Sequence, residues 1–299
     1  MEFGELPIKE LEKIKFKLPA DPIENAEVLK KAKAKQQKVY VGCAKWGRKE
    51  WLGSLYPKGT KEKDFLGEYG RHYNSIELNA TSYKFPSAEQ IESWVSKIHT
   101  NGFKFCPKAH QGMSFAKTGP NKARLTKDFI DIIRSFGDML GPVFITIKTS
   151  FKEADMPEFL DWLASLPKDI DFFVELRDEM FFADSKFQKK FFDSLIKLKI
   201  GSVITDTSGR QDVCHMHLTT PKTFIRFVGN SLHSSDYPRI DNWVTRIKKW
   251  LDGGIEEIYF FMHMHDEGRS PELSQYVVDQ LNKKCKLKLP PIILYNDQV

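Results

Sequence analysis

From Val39 onward, short runs of β-branched and aromatic residues recur eight times along the chain, separated by longer stretches with helical spacing. The predicted strands are VYVGCAKW (39–46), SIELNAT (75–81), FKFCPKA (103–109), VFITIKT (143–149), DFFVELR (171–177), SVITDTS (202–208), TFIRFVG (223–229) and EIYFFMH (257–263). Between them lie amphipathic patterns such as SAEQIESWVSKI, LTKDFIDIIRSFGDML, KFQKKFFDSLIKL and DNWVTRIKKWL. Strands alternating with helices imply parallel pairing, because a right-handed crossover needs about one helix between neighbours. The pattern predicts an α/β fold, a single (β/α)8 TIM barrel over residues 38–299. The alternative is an open doubly wound sheet, which usually carries a nucleotide loop after its first strand; none is found here. Residues 1–37 read differently, as a proline-punctuated segment followed by an Ala, Lys and Glu helix. They form an extension expected to pack on the barrel, too short and polar to build a core of its own.

Alternation within the strands divides polar from apolar positions. Glu77, Asn79 and Thr81 share one face; so do Lys104, Cys106, Lys108 and His110, and likewise Glu175 with Arg177, and Asp206 with Ser208, while Arg226 stands opposite Ile225 and Phe227. A strand face covered by helices must be apolar, so the polar parity is expected to point into the barrel. Charged groups are tolerated there near the carboxyl ends of the strands, where they would converge on one mouth.

That mouth would gather Glu77, Glu175, Asp206, His263, His110 and His265, a mixture of carboxylates and imidazoles that suits a divalent ion such as Zn, Mn or Mg. Such an ion could polarise a substrate oxygen or acidify bound water. The bland alternative is a charge network in which Glu77 and Glu175 pair with Arg177, Arg226 and Lys108. Lys108, Lys148, Arg177 and Arg226 share one parity and could grip a small anionic or phosphorylated ligand. Trp46, Trp51 and Tyr56, on the glycine-containing first loop, could stack on a base or sugar, or pin that loop to the barrel. His215 and His217, one residue apart, rank below His263 as ligands. The loops holding Arg210 and Asp212, and His233, Asp236 and Arg239, are candidates for gating.

Charge and cysteine usage narrow the classes. The net charge of +6 permits acidic ligands, but both signs are spread along the chain, and residues 1–38 hold nine lysines against seven acids, unlike a nucleic-acid tail. Cys43, Cys106, Cys214 and Cys285 lie far apart without a C-x-x-C pair and read as reduced thiols. With no signal peptide and no uncharged stretch long enough to cross a bilayer, a cytoplasmic location without membrane partners is expected. Serine-hydrolase elbow, Walker and dinucleotide fingerprints are lacking.

The succession VGCAKWGRKEWLGSLYP, FLGEYGRHYNSIELNATSYKFPS, GFKFCPKAH, FFVELRDEMFF and TFIRFVGN resembles the DUF72 (YecE-like) family over about residues 39–282. The resemblance implies a TIM barrel with a polar pocket at the strand carboxyl ends and no agreed activity. It also implies that Trp46, Trp51, Glu77, Asn79, Tyr83, Lys108, Glu175, Arg177, Arg226 and Gly229 belong to that pocket or its loops. Strand eight departs from the family, with FFMHMHDE where many members carry an aromatic followed by asparagines. In overall shape the family is similar to metal-using barrels such as endonuclease IV and xylose isomerase, an analogy of fold.

Three functions are expected from these residues. The first is metal-assisted phosphodiester hydrolysis of a phosphorylated or nucleotide-like substrate: Glu77, Glu175 and His263 hold Zn or Mn, Asp206 is general base, and Arg177, Arg226 and Lys108 stabilise phosphoryl charge. The second is metal-independent isomerisation, elimination or hydrolysis of a sugar or sugar phosphate, with Glu175 and His263 as acid and base. The third is a binding protein that uses Arg226, Lys108 and the Trp46–Tyr56 loop on an anionic ligand or a nucleic-acid end.

Overall fold

The computed structural model describes residues 3–30, 32, 36–115, 119–147 and 151–295. Eight parallel strands form the fold: β1 (Lys38–Cys43), β2 (Ser75–Leu78), β3 (Lys104–Pro107), β4 (Val143–Thr146), β5 (Phe172–Glu175), β6 (Gly201–Asp206), β7 (Lys222–Gly229) and β8 (Glu257–Met264). One ladder runs β1-β8-β7-β6-β5-β4 and a second pairs β2 with β3. The ladders meet at β3 and β4, where the Ala109 N–H donates to the Phe144 carbonyl at 2.8 Å and the Gly141 N–H to the Phe105 carbonyl at 2.7 Å.

The remaining seam, between β1 and β2, is bridged by side chains. Asn74 accepts the Val41 N–H at 2.7 Å and donates to the Val39 carbonyl at 2.9 Å. The Tyr69 hydroxyl accepts the Cys43 N–H at 2.7 Å and donates to the Ser75 carbonyl at 2.8 Å. These four bonds satisfy backbone groups that a ladder would otherwise pair. Gly42 permits the approach, since a Cβ there would lie 2.2 Å from the Ser75 carbonyl oxygen. The result is the (β/α)8 barrel that the alternation predicts.

Two apolar layers follow from the strand parity. Tyr40, Cys106, Phe144, Phe173, Val203, Phe224, Tyr259 and Phe261 fill the barrel interior as one buried cluster, with Tyr40 and Tyr259 stacked at 4.6 Å. The opposite strand faces, including Val41, Ile76, Phe105, Ile145, Val174, Ile204, Ile225 and Phe260, pack against the helices in a larger cluster. The rings separate two polar ends of the interior: Lys104, Lys222 and Glu257 at the amino end, where Lys222 pairs with Asp171 and Glu257, and the side chains around Arg226 at the carboxyl end.

The β6-to-β7 connection carries only a short 3-10 turn, Gln211–Val213, among its described elements. Beside it lies the helix Glu24–Leu29 of the amino-terminal extension. Buried Asn25 donates to the Met216 carbonyl at 2.8 Å and accepts the Leu218 N–H at 2.9 Å. Glu24 pairs with Lys189 on the helix Ser185–Leu198, and Asp21 takes Arg246, Lys249 and the Trp250 indole N–H on the helix Asp236–Asp252. The extension thus bonds to the helices on either side of a crossover that has no α-helix of its own.

Candidate functional site

The carboxyl end of the barrel holds a ring of polar side chains around Arg226 of β7. Its Nε donates to Glu77 Oε2 at 3.0 Å, one terminal nitrogen to Glu77 Oε1 at 2.8 Å, and the other to Glu175 Oε1 at 2.5 Å. All three residues are buried. Glu175 also accepts the hydroxyls of Thr146 at 2.9 Å and Thr205 at 3.0 Å, and Arg177 lies 3.0 Å from its second oxygen. Glu77 accepts the Asn79 amide at 2.7 Å and sits 3.1 Å from His263 Nε2. The network therefore joins β2, β4, β5, β6, β7 and β8.

Electrostatics keep both carboxylates charged. Burial opposes their ionisation, but Arg226 and His263 hold Glu77 well below the usual carboxylate range, and Arg177, Arg226 and Lys108 do the same for Glu175. Arg226 is correspondingly raised, its desolvation outweighed by the two anions.

Lys108 stands apart from this saturation. Among the described residues its ammonium makes no ion pair or hydrogen bond; Nζ lies 5.7 Å from the Phe144 ring, and the Arg226 guanidinium 5.4 Å from the same ring. Burial draws its pKa below the ordinary lysine value; Glu175 pulls it back, Arg226 and Arg177 push it down again, and the net direction is down. Arg177 is also incompletely used, since its Nε is buried without an acceptor.

Strand parity fails at β6. Val203 and Thr205 point into the barrel, and Asp206 points out, accepting Arg239 at 2.8 Å and the Trp243 indole N–H at 2.7 Å from the helix Asp236–Asp252. The polar residues of SVITDTS mislead here because Asp206 has buried polar partners on the helix side. It cannot serve the mouth as a base. Asp236 joins the same outer network, binding Arg239 and the Asn230 N–H.

The expected metal set is likewise corrected. Among the described residues no three His, Cys, Asp or Glu side chains are arranged to hold an ion. Between Glu77 and Glu175, where a cation would bridge, the Arg226 guanidinium already binds both, so Glu77, Glu175 and His263 do not fit Zn or Mn. His110 lies elsewhere, its Nδ1 accepting the Gly112 N–H at 3.1 Å with Phe85 edge-on at 4.9 Å. His265 faces Glu5 at 3.8 Å. His215 and His217 sit behind β6 against Phe192, not at the mouth.

Of the aromatic candidates, Trp51 is fully buried, donating to the Glu267 carbonyl at 3.1 Å and stacked on Tyr69, so it pins the first loop and does not meet ligand. Trp46 is half-buried edge-on to Trp94. Tyr83 is 72% exposed. Lys148 lies outside the described residues. Alternation alone did not mark Thr146 and Thr205, because a β-branched residue in an apolar strand reads as packing; they are revealed by register, Thr146 opposite Glu175 and Thr205 opposite Arg226, from where its hydroxyl reaches Glu175.

Residues 40–293 match the family model described as "Protein of unknown function DUF72". The chain belongs to the DUF72 family. This DUF72 chain is 23% identical to the UPF0759 protein YecE of Escherichia coli strain K12 over 263 residues, covering 82% of this chain and 93% of YecE. Among solved structures it is similar to a DUF72 family protein from Enterococcus faecalis V583, with TM-score 0.65, 17% identity and coverage of 82% and 95% of the two chains. A D-psicose 3-epimerase from Clostridium cellulolyticum H10 aligns with TM-score 0.52 at 11% identity, covering 84% of this chain and 99% of the epimerase, a likeness of barrel fold. No helix among the described residues is long and apolar enough to cross a membrane.

Proposed function

We propose that the mouth binds a small anionic substrate, phosphorylated or carboxylated, and catalyses metal-independent proton transfer on it, as in isomerisation or elimination of a sugar phosphate. The observation that carries this reading is Arg226 between Glu77 and Glu175. It neutralises part of the buried negative charge and leaves Lys108 and Arg177 as cations with unused hydrogen-bonding capacity. With Lys108 protonated, the described groups around Arg226 are three cations, Lys108, Arg177 and Arg226 itself, against the carboxylates Glu77 and Glu175, and an anionic group restores the balance.

The chemistry assigned to each residue follows. Lys108, whose basicity is drawn down by burial, exchanges a proton with the substrate. Arg177 directs its spare Nε to negative charge that develops on a substrate oxygen. Glu175, held by Arg226, Arg177 and two threonine hydroxyls, orients those cations and is too strongly stabilised as an anion to act as the base. His263 keeps Glu77 in place. Phosphodiester hydrolysis through a bound ion is not favoured, because its ligand set is occupied by Arg226.

The test is deuterium incorporation from heavy water into phosphorylated aldoses and ketoses, followed by nuclear magnetic resonance in the presence of a chelator. Exchange at carbon that disappears in Lys108→Met supports the reading. Exchange that persists in that variant, or no exchange and no calorimetric binding of any sugar phosphate, rejects it.

A further inference from the structure

The first described residues of the chain lie against the mouth. The Phe3 ring covers the Arg177 guanidinium at 4.7 Å and approaches that of Arg210 at 5.6 Å. Its carbonyl accepts the Thr207 hydroxyl at 2.9 Å, and the Gly4 carbonyl accepts the Gly209 N–H at 2.8 Å. Glu5 then presents its carboxylate 3.8 Å from His265, just beyond the end of β8. Three consecutive residues thus span the loops after β5, β6 and β8.

Glycine is required in the middle of this contact. Gly4 has φ +73°, and a Cβ there would lie 2.5 Å from both Oγ1 and Cγ2 of Thr207. The contact is specific in shape but rests on one ring and a few hydrogen bonds, and the segment is half-exposed to exposed. Such a contact opens more readily than the barrel beneath it. Below the ring, Arg177 Nε is buried without an acceptor, an arrangement that an anionic oxygen would complete and a phenyl ring does not.

We infer that Phe3–Glu5 is a displaceable strap that covers the anion-binding face of Arg177, with the Glu5 carboxylate as a tethered anion at the rim, so that ligand binds only when the strap lifts. The inference deepens the proposed function by naming Arg177 as the anion receptor, and it rests on that reading for the ligand. The covering itself is independent of any substrate. The helix Glu24–Leu29, anchored by Asn25 and Asp21, keeps the strap attached to the barrel when it is displaced.

The experiment compares the full chain with Phe3→Ala and with Gly4→Val, which act on the ring and on the backbone contact. Arg177 is read by phenylglyoxal modification resolved by mass spectrometry, with solvent-exposed Arg134 as internal reference, and pyrophosphate binding is read by calorimetry. Both variants are expected to modify several-fold faster at Arg177 and to bind pyrophosphate about tenfold more tightly, as expected when a competent state populated about one-tenth of the time becomes dominant. Unchanged Arg177 reactivity in both variants overturns the strap. Faster modification with unchanged, measurable pyrophosphate affinity also overturns it, since the covered face would then not be the binding face. Faster modification without pyrophosphate binding to any form upholds the covering and removes the anionic-ligand reading instead.

Discussion

Arg226 lies edge to edge with Glu77, two nitrogens on two oxygens at 3.0 and 2.8 Å, and reaches Glu175 with its third. The guanidinium fork matches this arrangement and an ammonium does not. Replacing Arg226 by Met leaves two buried carboxylates without their shared cation, and the expected loss is about 3–5 kcal/mol of unfolding free energy. Arg226→Lys should recover only a minor part. Urea denaturation at neutral pH measures both.

Lys108 predicts a proton linkage. An anion bound beside it favours the ammonium form, so binding should take up protons where Lys108 is partly deprotonated, and affinity should fall as pH rises through its lowered pKa. Calorimetry of pyrophosphate binding in buffers of different ionisation enthalpy reads the uptake. Lys108→Met should abolish it and weaken binding about tenfold, the loss of one charge-assisted contact.

The position of Arg226 also predicts indifference to metals. A resident ion at 100 times its dissociation constant would add about 2.7 kcal/mol to stability. Scanning calorimetry with a chelator, with Zn and with Mn should instead give midpoints within about 1 °C of each other, against the 2–4 °C expected per kcal/mol for a domain of this size. A rise of several degrees with either ion would contradict the Arg226-filled arrangement.

His215 provides a pH test remote from the mouth. The His217 N–H donates to its Nδ1 at 3.1 Å, so Nε2 carries the hydrogen and donates to the Val203 carbonyl at 3.0 Å. Burial, with His217 adding to it, lowers its pKa to about 3. The unfolded chain therefore takes up the proton first: the stability is intact above about pH 6.5 and is lost progressively as pH falls toward the folded value. Between pH 7 and 5 the loss from this residue is about 2 kcal/mol. His215→Gln, which keeps a donor and an acceptor, should flatten that part of the stability profile.

Asn25 tests the amino-terminal extension. Asn25→Ala removes two buried hydrogen bonds and leaves the Met216 carbonyl and the Leu218 N–H without their partner, at an expected cost of about 1–3 kcal/mol. Hydrogen exchange should accelerate in 24–29 and 214–218 while β7 and β8 stay protected.

The site was legible wherever a strand alternates between a polar interior and an apolar exterior. Glu77, Lys108, Glu175 and Arg226 were found this way, and His263 from its place at the end of the eighth strand. The same rule failed for Asp206, because Arg239 and Trp243 supply polar partners on a face assumed to be apolar. For Trp51, on a loop where alternation says nothing, the packing alternative is the one the structure takes. Thr146 and Thr205 escaped the rule because a threonine on an apolar strand carries no mark of the carboxylate its hydroxyl will bond. Phe3 escaped it because nothing local ties residue 3 to residue 177.

The eightfold alternation of strand and helix, the barrel and the convergence of charged strand ends are properties of periodicity, which a chain writes into neighbouring residues. Which charges neutralise one another is not local: the Arg226 pairing spans 149 positions to Glu77 and 51 to Glu175. Only the closed ring brings those residues within hydrogen-bonding distance, and that closure turned an expected metal cradle into a saturated ion network with Lys108 and Arg177 beside it. The reason is geometric: side-chain parity follows from the backbone repeat, whereas charge pairing follows from distances that exist only after the strands are assembled.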